Sequence, residues 1–160
     1  MRLTILALAF ASAGLIAQHH EAQHHEDDHH DGVNRRGDHV MGFSHEKTTH
    51  HFRLAADGGA IEVTANDAAD TTSRDEIRKH LGHIAKMFAA GNFKAPMLIH
   101  DLVPPGVTVL QERRDKVEYL FEEIDGGARV RIRTADKTAL SAVHEFLRFQ
   151  ITDHHTGDPH

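Results

Sequence analysis

His80, His83 and Met87 follow one another at i, i+3 and i+7, a spacing that sets three side chains along one stripe of a helix. Imidazole nitrogen and thioether sulfur both donate electron pairs, so two imidazoles one turn apart can grip a single metal ion from the same face. A second grouping precedes them: His39, Met41, His45, His50 and His51 all fall within residues 39–51. In a strand His50 and His51 would point to opposite faces. His50 shares its side with Phe52 and Leu54, the expected core side, and His51 shares its side with Arg53. His50 is therefore expected to approach His80 or His83 across the gap between sheet and helix, with His39 and Met41 in a loop folded over the end of that gap. The candidate metal ligands are His39, Met41, His50, His51, His80 and His83. The competing reading makes His50 a hydrogen-bonded core residue, His51 a surface residue and Met41 a gap-filler.

The donor set also ranks the metals. Imidazole suits zinc, copper, nickel and iron, whereas thioether favours reduced copper. Met41 and Met87 both lie near histidines and the chain has no cysteine, so copper comes first. Zinc is second, because three histidines and a water make a catalytic-type zinc geometry, although no His-Glu-x-x-His run occurs. Haem ranks last: there is no Cys-x-x-Cys-His, and only a non-covalent His/Met or bis-His pair would serve. His100, beside Asp101, and His144, among Leu140, Val143 and Leu147, read as structural histidines with a lesser claim as ligands. His154, His155 and His160 read as a solvated chelating end. Hydrolase chemistry finds no Gly-x-Ser-x-Gly elbow and no evident triad around Ser44, Ser73 or Ser141.

The elements that must position these side chains show an approximate repeat. Thr49-His50-His51-Phe52-Arg53-Leu54 alternates, Asp57-Gly58-Gly59 reads as a hairpin turn, and Ile61-Glu62-Val63-Thr64 alternates again. Val117-Glu118-Tyr119-Leu120-Phe121, Asp125-Gly126-Gly127 and Val130-Arg131-Ile132-Arg133 repeat the pattern. Each hairpin leads into a helix. The first is expected to be capped by Thr72 or Ser73, to bury Ile77, Leu81, Ile84 and Phe88, and to stop at Gly91. The second is expected over about 137–152. The fold class is thus α+β: a duplicated ββα unit giving a four-stranded, mostly antiparallel sheet with two helices on one face. A linker with Pro96, Pro104 and Pro105 joins the halves, and Arg129, Arg131 and Arg133 form a solvated stripe paired with glutamates across the strand.

Composition sets the compartment and the tail. The 160 residues carry 17 histidines and a formal charge of −6, which is no nucleic-acid footprint. Met1-Arg2 followed by an apolar run over 3–16 has the layout of a secretory signal peptide, expected to end at Ala17. The run is too short to span a bilayer, and the lack of cysteine removes a lipoprotein anchor. The doublets His19-His20, His24-His25 and His29-His30 recur at a period of five among acidic residues, so residues 18–38 are expected to be a disordered chelating tail. Residues 39–155 form the single folded domain and 156–160 a disordered end.

His39-x-Met41-Gly42-Phe43, Thr49-His50-His51-Phe52, His80-Leu81-x-His83-Ile84-Ala85 and His144-x-Phe146-Leu147-Arg148-Phe149-Gln150 together resemble a family of small exported bacterial proteins, over about residues 38–158. Some members carry an aspartate carbamoyltransferase label. That enzyme's Ser-Thr-Arg-Thr phosphate loop is not reproduced by Thr72-Ser73-Arg74, so the resemblance implies that the motifs act as a unit and implies no activity. The expected function is a periplasmic or secreted protein that binds or handles copper or zinc. The alternatives are a small metalloenzyme, with Glu46 or Asp101 as its general base, and an interaction domain whose histidines are incidental. No membrane anchor is expected, and the expected partners are metal ions.

Overall fold

In the computed structural model the described residues are His29 and 31–160. The expected leader and the first two histidine doublets lie outside them. Two hairpins dominate the chain: β1 (Thr48–Ala55) with β2 (Gly58–Ala65), and β3 (Val117–Ile124) with β4 (Gly127–Thr134). Each has a two-residue connection, so Ala55 pairs with Gly58 and Ile124 with Gly127. The second strands pair with each other, Ile61 opposite Val130, and the sheet order is β1-β2-β4-β3 with every neighbour antiparallel. The α+β sheet read from the repeat is what forms.

Strand alternation decides the faces. Phe52, Ile61, Val63, Val130 and Ile132 are buried under the helices, while Arg53, Glu62, Arg129, Arg131 and Arg133 face outward. The outer arginines are paired: Arg129 donates to Glu122 at 2.7 Å and to Glu62 at 3.4 Å, and Arg131 and Arg133 reach Asp57 at 2.5 and 3.3 Å.

Two long helices cover the inner face. Helix α2 (Thr71–Ala89) lies mainly over β4 and β3, and helix α5 (Lys137–Asp153) mainly over β1 and β2. Each unit's helix thus roofs the other unit's hairpin. The first cap is Asp70 rather than Thr72 or Ser73. Its carboxylate accepts from the Ser73 N–H at 3.0 Å and the Ser73 hydroxyl at 2.8 Å; a carboxylate reaches two donors of the first turn where a hydroxyl reaches one. Asp136 caps α5 in the same way, accepting from Ala139 N–H at 2.8 Å. Gly59 must be glycine, because a Cβ there would collide with Leu147 of α5 and the Arg53 carbonyl. The linker folds as α3 (Lys94–His100) and α4 (Val107–Glu112). No helix among the described residues is long and apolar enough to cross a membrane.

Both expected disordered boundaries move. Residues 31–41 are helical (α1), Val33 is 0 % exposed, and Arg36 Nε donates to the Ile99 carbonyl at 2.7 Å. Val33, Gly37, Val40 and Met41 fall at helical spacing, and that narrow stripe suffices to dock one short helix. At the other end, Asp158 is buried. Its carboxylate accepts from the Phe52 N–H at 2.9 Å, His51 Nδ1 at 2.9 Å, Arg53 at 3.1 Å and the Thr156 hydroxyl at 2.8 Å. β1 is an edge strand whose outward N–H groups would otherwise stand open, and residues 156–158 close part of that edge.

Asp158→Ala should therefore destabilise the fold by about 1–3 kcal/mol, the cost of leaving a buried backbone donor and three side chains without their acceptor. Urea unfolding at pH 7 reads this directly. An unchanged midpoint would mean that the tail merely rests on the edge.

Candidate metal centre

Residues from four elements converge where α1 and the C-terminal end of α5 meet β1 and α2. His50 comes from the core side of β1, one alternation before Phe52, and pairs in register with Val63 of β2. His80 comes from α2, beside the buried stripe of Ile77, Leu81 and Ile84. Met41 is the last residue of the helical run 31–41. His154 is the C-cap of α5. All four line one cavity of about 60 Å³ whose remaining wall is largely apolar, including Phe52, Val63, Leu81 and Phe146. Among the described residues no Asp, Glu, Lys or Arg lines it.

Aromatic contacts fix the rings. His154 stacks on His50, with centroids 6.0 Å apart and planes within 2°, and also on Phe52 at 5.6 Å. Phe43 stacks against His50 at 6.2 Å and meets His80 edge-on at 5.6 Å, so one phenyl ring touches both imidazoles. Burial pushes the His50 imidazole down to about 4, helped by the neighbouring His80, His45 and His51 and opposed slightly by Asp38. Burial likewise pushes His80 down to about 4, with His83 adding to it. Both rings are thus neutral at neutral pH and can offer a lone pair without first losing a proton.

The six expected ligands divide. Met41, His50 and His80 come together in the cavity. His83 is exposed and shares an outer groove with Met41 and His80. His51 points to the other side of β1, bound to Asp158, and His39 is exposed on α1 and lines neither space. Both depart from the expected cluster for a geometric reason. Alternation turns His51 away from His50, and helix formation over 31–41 carries His39 away from Met41. Among the described residues no group of three or more His, Cys, Asp or Glu side chains is arranged to hold a metal ion. Neither Glu46 nor Asp101 lines the cavity.

Two residues beside the site, His154 and Asp153, escaped the sequence reading. His154, taken for part of a solvated end, is a wall of the cavity; its signal was its place four residues after Gln150 and three after Ile151, which continues the buried stripe of α5. His100, read as a structural histidine, is 1 % exposed: its Nδ1 lies 2.6 Å from Asp153 and its Nε2 lies 3.0 Å from the Gln150 amide oxygen. The orienting carboxylate is Asp153, not the adjacent Asp101. Asp153 also meets His29 Nε2 at 3.0 Å. His144 behaves as a structural histidine, its Nε2 lying 2.9 and 3.1 Å from the carbonyls of Ala55 and Gly58.

No protein-family model, no curated protein and no solved structure matches the chain.

The two depressed histidines set a pH window. Above 6.5 both are neutral folded or unfolded, and the full stability is present. Below 6.5 the unfolded chain takes up protons that the fold refuses down to about 4, so stability falls with acid by up to about 1.4 kcal/mol per pH unit for each histidine. Burial pushes the Asp153 and Asp158 carboxyls up, but their hydrogen bonds outweigh it and hold both below the ordinary 3.8, so their loss comes at lower pH. Urea midpoints between pH 6.5 and 4.5 should decline, and His50→Gln should decline less steeply. A variant with the wild-type slope would show that His50 titrates normally.

Proposed function

We propose that this chain is an exported protein that binds a transition-metal ion, copper in its monovalent state first and zinc second, through Met41, His50, His80 and His154. The observation that carries the reading is that one thioether and three imidazoles line a single cavity on whose wall no described residue is Asp, Glu, Lys or Arg. Neutral nitrogen and sulfur donors match a soft ion. A wall without carboxylates leaves the charge of an ion uncompensated, which costs less for one positive charge than for two. Met41 has three rotatable bonds and can swing its sulfur between the outer groove and the cavity, both of which it lines. Phe43 packs against both the His50 and His80 imidazoles. The histidine doublets preceding α1 would collect ions weakly at several places, and the leader-like run 3–16 would direct the chain to a periplasmic or secreted location, where it would handle copper rather than catalyse.

The reading is tested in the full chain with His19, His20, His24 and His25 changed to Asn, which removes the competing donors of the first two doublets. Competition against a chromogenic copper(I) chelator should find one tight ion per chain. His50→Leu and His80→Leu should each weaken it by at least about tenfold, the scale on which metal sites lose affinity when their immediate support is removed. Equal affinity in parent and variants would refute the site.

A further inference from the structure

An ion at the imidazoles would leave one feature of the cavity unexplained. Gln150 is 4 % exposed and lines the cavity, and its Nε2 has no hydrogen-bond partner. The only other such side-chain atom among the described residues is the Tyr119 hydroxyl, which does not line this space. An amide N–H offers a proton and no electron pair, so a metal cannot satisfy it. A buried donor left without an acceptor destabilises the fold.

The donor is also aimed. Asp153 lies 2.6 Å from His100 Nδ1, and His100 Nε2 lies 3.0 Å from Gln150 Oε1. Both ring nitrogens of His100 lie within hydrogen-bond distance of oxygen atoms, a carboxylate at Nδ1 and the Gln150 amide oxygen at Nε2. That arrangement consumes the oxygen of the Gln150 amide and turns its NH2 group toward the apolar wall. His100 is itself held edge-on against His154 at 4.9 Å and Phe149 at 4.9 Å. Asp153 and His100 are thus positioning residues for one N–H.

We propose that the cavity binds a small uncharged carbonyl compound, such as a short aliphatic ketone or aldehyde, whose oxygen accepts from Gln150 Nε2 and whose hydrocarbon body rests on Phe52, Leu81, Ile84 and Phe146. The ligand is uncharged because no described residue on the wall is an ionic partner, and burying a bare charge there is prohibitive. It is small because about 60 Å³ corresponds to roughly five water-sized positions. It presents an acceptor because the unpaired atom is a donor. The inference goes beyond metal binding and does not depend on it.

The test uses the full chain freed of metal by a chelator and labelled with ¹⁵N. Titration with 2-butanone should shift the Gln150 side-chain NH2 resonances saturably. 2-Methyl-1-butene, of similar shape but with no carbonyl oxygen, should bind at least about tenfold more weakly, since it leaves the donor unpaired. Gln150→Glu keeps an oxygen against His100 and removes the N–H, and should abolish that preference. Equal binding of the two compounds by the parent chain would overturn the proposal, because the amide would then select nothing. So would a Gln150 resonance that neither compound moves, which would mean that the cavity holds water only. The comparison in the parent chain decides the matter even if the variant folds poorly. Because no metal is present, failure here leaves the copper reading standing, and failure of copper binding leaves this one standing.

Discussion

The pairing of β2 with β4 joins the two halves of the molecule, and the rest of the architecture follows from it. Each ββα unit alone offers a two-stranded ribbon and one amphipathic helix, too little apolar surface to fold by itself. Joining the second strands, with Ile61 opposite Val130, makes one continuous inner face. The helices then cross over, α2 onto β4 and β3 and α5 onto β1 and β2. That exchange brings the last turn of α5 to His50 on the outer strand β1, while α2 carries His80 in from the other side. The cavity is the space left where two helices, an edge strand and α1 meet without filling the corner.

Carboxylates sort the histidines of this chain into two kinds. His29 and His100 share Asp153, His45 lies 2.9 Å from Asp38, and His51 lies 2.9 Å from Asp158. In each case the imidazole fastens one segment to another: the residue at 29 and α3 to α5, the turn at 45–47 to α1, the C-terminal residues to β1. Among the described residues His50 and His80 make no ion pair with a carboxylate. They meet aromatic rings instead, and burial pushes their protonation down to about 4. A carboxylate beside either would favour the imidazolium and remove the lone pair from use. Among the described residues no acid lines the cavity, which leaves the lone pairs of these two rings unprotonated at neutral pH.

The same logic describes the periphery. β1 is an edge strand beside the site, and residues 156–158 bind it through a side-chain carboxylate rather than through another strand. The segment following α5 thus contributes twice, with His154 on the cavity wall and Asp158 on the strand edge. α1 does likewise at the other end, with Arg36 on the α3 carbonyl and Met41 on the cavity.

Periodicity alone determined the repeat, the four strands, the two long helices and the core side of β1, because alternation and the 3.6-residue stripe are properties of a chain segment and need no partner. It likewise placed His50 and His80 on facing surfaces and turned His51 outward. Tertiary structure decided which donors meet. His154 reached the cavity only because α5 crosses to the opposite hairpin, and His39 left it because α1 docks through Val33 and Arg36. The partner of His100 is Asp153, far along the chain, rather than the neighbouring Asp101. Such pairings depend on the relative placement of elements distant in sequence, and local pattern carries no information about that placement.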